Sequence, residues 1–184
     1  MIVAKVGGSL YDWPALGPTL LSWLAAQPEP VLLVPGGGAA ANVVRNWDRV
    51  HSLGEDEAHW LAIRSLSLAA HFLHRLLPAL PVVEVAIPGI LDPYPICRNP
   101  PRHWGGSPPH SWSVTSDSLA LWVAICSEAS KLMLLKSADA PAGDWTGAGY
   151  ADGHFRVLMT KSSVEVEALN LRSSGSPSPL RRGG

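Results

Sequence analysis

Two glycine-rich turns, each placed directly behind an apolar run, constrain this chain more than any other feature: KVGGSL at Lys5–Leu10 and VPGGGAAAN at Val34–Asn42. A short apolar stretch that ends on consecutive glycines reads as a buried strand meeting a tight turn. Ile2–Val6 and Val31–Val34 are the two strands. Helical spacing follows each of them. Leu16, Leu20, Trp23 and Leu24 mark a helix over Trp13–Ala26, with Asp12 as N-cap and Pro14 in the first turn. A second helix covers Ala39–Val50. Strand, helix, strand, helix implies a parallel sheet, and both turns then open at the carboxyl ends of strands, where such folds bind ligands.

Glu55–Leu77 carries Leu61, Leu68, Phe72 and Leu76 among good helix formers, with Glu55, Asp56 and Glu57 at its positive end, and should be the longest helix. Val82–Ile87 reads as a third strand. The proline-, glycine- and tryptophan-rich stretch from Pro88 to Pro109 reads as a long loop without regular structure, the kind that tends to be functional. Helix returns over Ser116–Ser127 and strand over Lys131–Leu135. A Gly/Asp-rich loop spans Ala138–Gly153, and two weaker apolar segments lie at Val157–Met159 and Val164–Leu169. Residues 1–172 should form one domain, and the Ser/Pro/Gly/Arg tail 173–184 should be disordered for want of apolar surface to bury.

Composition narrows the partners. Hydrophobic residues make up 47% of the 184 positions, charged residues 16%, and the formal net charge is -1. That balance fits neither a disordered chain nor an electrostatic grip on nucleic acid, so a small molecule is the expected partner. No apolar run approaches the roughly 20 residues that a membrane span requires. Only Cys97 and Cys126 occur, and no signal-peptide pattern opens the chain, so a reducing cytoplasm is expected. No metal site is expected, because Cys97, His103, His110 and Cys126 lack the paired spacing of zinc ligands. Trp23, Trp60 and Trp122 fall at helical core spacing rather than along a basic stripe.

Four constellations can carry chemistry. In both glycine turns, backbone N–H groups can approach an anion closely, with a helix N-terminus behind them. Lys5 sits inside an apolar strand, where a charge is costly unless it meets an anion at the strand end. Thr115, Ser116 and Asp117 open a helix; capping accounts for them, and so does a carboxylate that orients lysines or a metal around a transferring phosphoryl group. Lys136, Ser137 and Asp139 follow a strand in LMLLKSADAP, placed to contact a nucleotide or simply to be solvated. Neither a GxxxxGK[ST] loop nor a GxSxG elbow is present.

Taken in order, KVGGSL, VPGGGAAANVVR, HSWSVTSDSLALWVA and LMLLKSAD resemble the amino acid kinase superfamily. EAHWLAI, PHSWSVTSDS and LLKSAD resemble most its small aspartate/glutamate/uridylate kinase-like branch, which includes aminomethylfuran phosphate kinases. The resemblance covers roughly 2–172. It implies a three-layer αβα sandwich around a mainly parallel sheet, and an ATP-dependent kinase, cytoplasmic and homodimeric, that phosphorylates a small anionic metabolite with Mg²⁺. It gives Lys5 the role of bridging the phosphates and Asp117 that of organising the catalytic lysines. Gly7, Gly8 and Ser9 become the nucleotide phosphate loop, and Lys136, Ser137 and Asp139 lie beside the nucleotide. Gly36, Gly37, Gly38, Thr115 and Ser116 face the acceptor. The late lysine motif of larger members is missing, leaving Lys161 as a candidate for a second phosphate contact. An aminomethylfuranmethyl phosphate would be the acceptor. Two other readings stand beside it: an NAD(P)-binding oxidoreductase, from the loose GGGAAA fingerprint, and a catalytically silent protein on the kinase fold.

Overall fold

The computed structural model describes residues 1–173 and 177–180. Three strands form its centre: β1 (Ile2–Val6), β2 (Val31–Pro35) and β5 (Lys131–Lys136), with β1 between the other two. Every residue of β1 and β2 is buried, as expected for parallel strands covered on both faces. The sheet continues through β4 (Gly89–Leu91) to β3 (Val82–Val83) on one side. On the other it continues through β6 (Glu165–Asn170) to β7 (Ser178–Pro179). All pairings are parallel except β6 with β7. With helices on both faces this is the expected αβα sandwich.

The period-two alternation of strand side chains divides the core in two. Val3, Leu32, Val34, Leu132, Leu134, Val166 and Ala168 form one layer, covered by α5 (Ser116–Cys126) and α6 (Gly153–Thr160). Ile2, Ala4, Val6, Val31, Leu33, Met133 and Leu135 form the other, against Leu16 and Leu20 of α1 (Leu16–Ala25). The 22-residue α3 (Glu55–Leu76), about 33 Å long, serves both, giving Ile63 and Leu66 to the first layer and Ala70 and Leu73 to the second. It packs on α2 (Gly38–His51). By the same alternation Lys5 lies on the face of Val3, under α5, in register with Val34 and Leu134.

Three local expectations are corrected. The first helix begins at Leu16, not Trp13; Asp12 does not cap it and instead pairs with Arg172 at 2.6 Å. The third strand is only Val82–Val83, and the stretch Pro88–Pro109 is not devoid of structure. It holds β4 and the short α4 (Pro93–Arg98), whose N-cap Asp92 accepts a hydrogen bond from the Tyr94 N–H at 3.1 Å. Of the tail, 174–176 and 181–184 lie outside the described residues, while Ser178 and Pro179 pair antiparallel with Ala168 and Glu167.

Candidate functional site

Because β1, β2, β5 and β6 are parallel, their carboxyl ends meet along one edge, and both glycine turns converge there. The Gly36 N–H donates to the Val6 carbonyl at 2.9 Å, and the Gly7 N–H to the Leu135 carbonyl at 2.8 Å. A Cβ on Gly8 would stand 2.3 Å from the Gly38 nitrogen and 2.4 Å from its Cα. Backbone therefore touches backbone between the two turns, which only glycine allows. Gly38, the first residue of α2, has φ +56°, a conformation that glycine adopts without strain. Ser9 and Ser137 share a hydrogen bond of 2.7 Å, tying the first turn to the loop after β5.

At the base of this junction lies a charge triad, Lys5 and Asp117 buried and Lys136 partly so. Lys5, on β1, and Asp117, in the first turn of α5, are each only 6% exposed. The Lys5 Nζ stands 2.8 Å from Asp117 Oδ1. Lys136, the last residue of β5, donates from Nζ to Asp117 Oδ2 at 2.9 Å. Burial pushes the Asp117 carboxyl up, but the two ammonium groups outweigh it and hold it below the usual 3.8. Burial likewise pulls the Lys136 ammonium below its usual value, against the stabilising charge of Asp117. One carboxylate thus fixes two ammoniums at the carboxyl end of the sheet.

The triad opens into a cleft of about 680 Å³. Lys5, Gly7, Gly8, Ser9, Gly37, Gly38, Thr115, Ser116 and Lys136 all line it. Asp117 sits behind the lysines. Three other expected residues stand apart from the lining. Gly36 is structural, its carbonyl accepting from the buried Tyr11 hydroxyl at 2.8 Å. Ser137 reaches the site only through Ser9, and Asp139 accepts from Asn170 Nδ2 at 3.1 Å in an exposed contact. Lys161 follows α6 and flanks Glu128 and Ser130, near the amino end of β5 and away from the triad.

Several lining residues carry no sequence signal of their own. The far wall is apolar, with Ile63, Leu66, Cys97 and Leu119. His59 joins them, its imidazole stacked on His110 at 4.2 Å and held down to about 4 by burial and the neighbouring ring, so it is neutral at pH 7. The segment around His110–Trp112 is fastened over the cleft by polar contacts. His110 pairs with Asp56, the Ser111 hydroxyl donates to Glu55 at 3.2 Å, and the Trp112 indole N–H donates to Asp48 at 2.7 Å. The Arg45 guanidinium rests over the Trp112 ring at 4.9 Å. Asp152, read in the sequence only as part of a Gly/Asp-rich loop, grips the start of α5, and Tyr150 offers Lys136 both a carbonyl and, at 4.4 Å, a ring face.

Lysines at a glycine-lined strand edge suit a ligand that carries several negative charges. Among the described residues no cluster of three His, Cys, Asp or Glu side chains forms a metal cage, and none of the helices is long and apolar enough to cross a membrane.

No family model matches the chain. A curated relative does: (5-(aminomethyl)furan-3-yl)methyl phosphate kinase of Methanocaldococcus jannaschii is 28% identical, over 94% of this chain and 88% of that protein. Among solved structures, the uridylate kinase of Archaeoglobus fulgidus superposes with a TM-score of 0.61 at 16% identity, over 90% of this chain and 88% of the other. An isopentenyl phosphate kinase superposes with a TM-score of 0.59 at 16% identity, over 94% and 92%. The fold is the amino acid kinase fold that these solved structures share, and the curated kinase relative supports a place for the chain in that superfamily.

Proposed function

We propose that this protein transfers the γ-phosphoryl group of ATP to a small phosphorylated metabolite, with an aminomethylfuranmethyl phosphate as the acceptor. The observation that carries the reading is the Lys5–Asp117–Lys136 triad, set where two glycine turns meet and open to a cleft of about 680 Å³. In-line transfer between two anions needs alignment and charge neutralisation more than covalent chemistry. Lys5 and Lys136 supply the positive charge, and Asp117 fixes where they point. The Gly7 N–H is given to the Leu135 carbonyl, so the Gly8 N–H and the N-terminus of α2 cradle phosphate oxygens. Asp117 is taken up by two lysines, so Mg²⁺ would arrive on the nucleotide. When bound, that ion would neutralise β- and γ-phosphate oxygens.

The nucleotide falls on the side of Ser9, Lys136 and Ser137, and the acceptor between α2, α3 and Trp112. The neutral His59 and the apolar wall beside it suit an uncharged ring, and Arg45 at the mouth suits an anionic group. A cytoplasmic homodimer accompanies this reading, to be sized by light scattering. The test is ATP consumption with Mg²⁺ against aminomethylfuranmethyl phosphate, uridylate, isopentenyl phosphate, acetylglutamate, aspartate and carbamate. Turnover with the first alone supports the assignment. Turnover with another moves the substrate, and absence of ATP binding by thermal shift removes the kinase reading in favour of a silent protein.

A further inference from the structure

We propose that Asp152 is a positioning residue for phosphoryl transfer: it fixes the start of α5, and with it the Asp117 carboxylate that holds Lys5 and Lys136. The inference rests on the kinase reading, in which Lys136 acts as a cation.

A helix start leaves its first N–H groups without intrahelical partners. In α5 the Thr115 side chain reaches only the Asp117 N–H, and at a long 3.4 Å. The rest of the work is done from 37 residues away. Asp152 Oδ2 accepts from the Thr115 N–H at 3.0 Å, the Thr115 hydroxyl at 2.7 Å and the Ser118 N–H at 3.0 Å. Its Oδ1 accepts from the Ser118 hydroxyl and from the Phe155 N–H at 3.0 Å, which caps α6 in the ordinary way. One carboxylate therefore joins two helix N-termini, whose dipoles both favour its charge, by charge-assisted hydrogen bonds.

Thr115 and Ser118 bracket Asp117 in sequence, so fixing them fixes the turn from which the Asp117 carboxylate reaches both lysines. The same short segment holds Lys136 from the other side, because the Tyr150 carbonyl accepts from its Nζ and the Tyr150 ring lies beneath it. The charged and titratable groups that face Lys136 are Asp117 from α5, Lys5 from β1, and Tyr150 and Asp152 from this segment. Burial and Lys5 favour loss of the Lys136 proton. Asp117 and Asp152 oppose it. Removing the Asp152 charge shifts that balance towards neutral Lys136 at lower pH.

A cap that served stability alone would lower the melting temperature and nothing else. The separation uses Asp152→Asn and a control, Asp92→Asn, at a comparable helix cap outside the cleft. The Lys136 ammonium is followed by NMR of the labelled side-chain nitrogen across pH, which needs no turnover. The expected results are a titration in Asp152→Asn displaced to lower pH, and kcat lowered by up to about a hundredfold with its alkaline limb displaced the same way. KM for ATP should change little. Asp92→Asn should soften the fold without moving either curve. If Asp152→Asn fails to fold, Ser118→Ala and Asp152→Glu carry the test, the first expected to lower kcat and the second, which keeps the charge, to leave the Lys136 titration near that of the natural protein. An Asp152→Asn protein with an unmoved Lys136 titration overturns the proposal. A natural protein that turns over no acceptor sinks the kinase reading instead, and the nitrogen titration still decides the role of Asp152.

Discussion

Replacing Asp117 with asparagine should be the most damaging isosteric change in the molecule. The carboxylate stands 2.8 Å from Lys5 Nζ and 2.9 Å from Lys136 Nζ. At an effective dielectric near 20, each contact is worth about 6 kcal/mol before desolvation. Burial, full for Lys5 and Asp117 and partial for Lys136, offsets most of that, and removing one member of a buried pair costs about 3–5 kcal/mol. Two ammoniums lose their partner here at once. The cost stays within that range because Lys136, already held below its usual pKa by burial, can shed its proton. For a domain of this size the melting temperature should drop by roughly 6–20 °C. Thermal unfolding followed by circular dichroism measures it. A second variant, Asp117→Asn with Lys136→Met, removes one stranded charge and should be less damaged than the sum of its parts. The acid side gives a further check. Because the folded Asp117 pKa lies below 3.8, its contribution is fully present above the unfolded value and disappears as pH falls through the folded one. Asp117→Asn should lose that dependence. A melting temperature within 2 °C or so of the natural protein, with turnover retained, would refute the account of the triad.

Lys5→Ala should abolish ATP-dependent turnover, by about a hundredfold or more, while the fold persists, because it also relieves a buried charge; full activity in a coupled ATPase assay would remove Lys5 from the site. Gly8→Ala must push the two glycine turns apart, since its Cβ would lie 2.3 Å from the Gly38 nitrogen, and should cost about 1–3 kcal/mol together with loss of the ATP-induced thermal shift. Arg45→Met should raise KM for a phosphorylated acceptor by about tenfold and leave KM for ATP unchanged, as read in steady-state kinetics.

The parts of the fold most legible in the sequence are those that local chemistry dictates. β1, β2 and β5 announce themselves because strands buried on both faces need unbroken apolar runs, and α3 because its acidic first turn and length leave little alternative. β4 and α4 are hidden in a proline-rich stretch: three residues beside Pro88 are too few to show a period, and Pro93 and Pro95 mask a helix that Asp92 caps. That stretch is ordered by tertiary contacts, such as Trp104 packed edge-on against Trp122 at 5.0 Å. The site divides in the same way. Lys5 stands out as a charge inside an apolar strand, where it is costly without a partner, whereas Asp117 could equally be a helix cap and Lys136 a solvated strand end until the fold brings the three together. Arg45, His59 and Trp112 come from three separate segments and meet only when α2, α3 and the loop before α5 pack. Asp152 falls in the sequence within a Gly/Asp-rich loop, and its cap on α6 and its hold on Thr115 and Ser118 exist only in the folded chain.

The charge state of the triad also bears on what the acceptor can be. A hydroxyl acceptor needs a base to take its proton as the phosphoryl group arrives. Asp117 is ionised, yet its proton affinity is held below that of an ordinary carboxylate and both its oxygens face ammonium groups, so it is a poor base. His59 is neutral and lines the cleft, but a conjugate acid near 4 leaves it little proton affinity either. A phosphate monoester brings its own oxyanion and needs no base, and two lysines against one carboxylate leave net positive charge to receive it. Its second proton is lost near pH 6, by analogy with phosphorylated side chains. The acid limb of kcat/KM should therefore follow the acceptor: it should fall near pH 6 for a phosphate monoester and move to higher pH when the less acidic alkylphosphonate analogue is used. The dephosphorylated alcohol should not turn over. An acid limb that stays fixed when the acceptor is changed, or measurable transfer to the alcohol, would mean that a protein base takes part and that the triad does more than position charge.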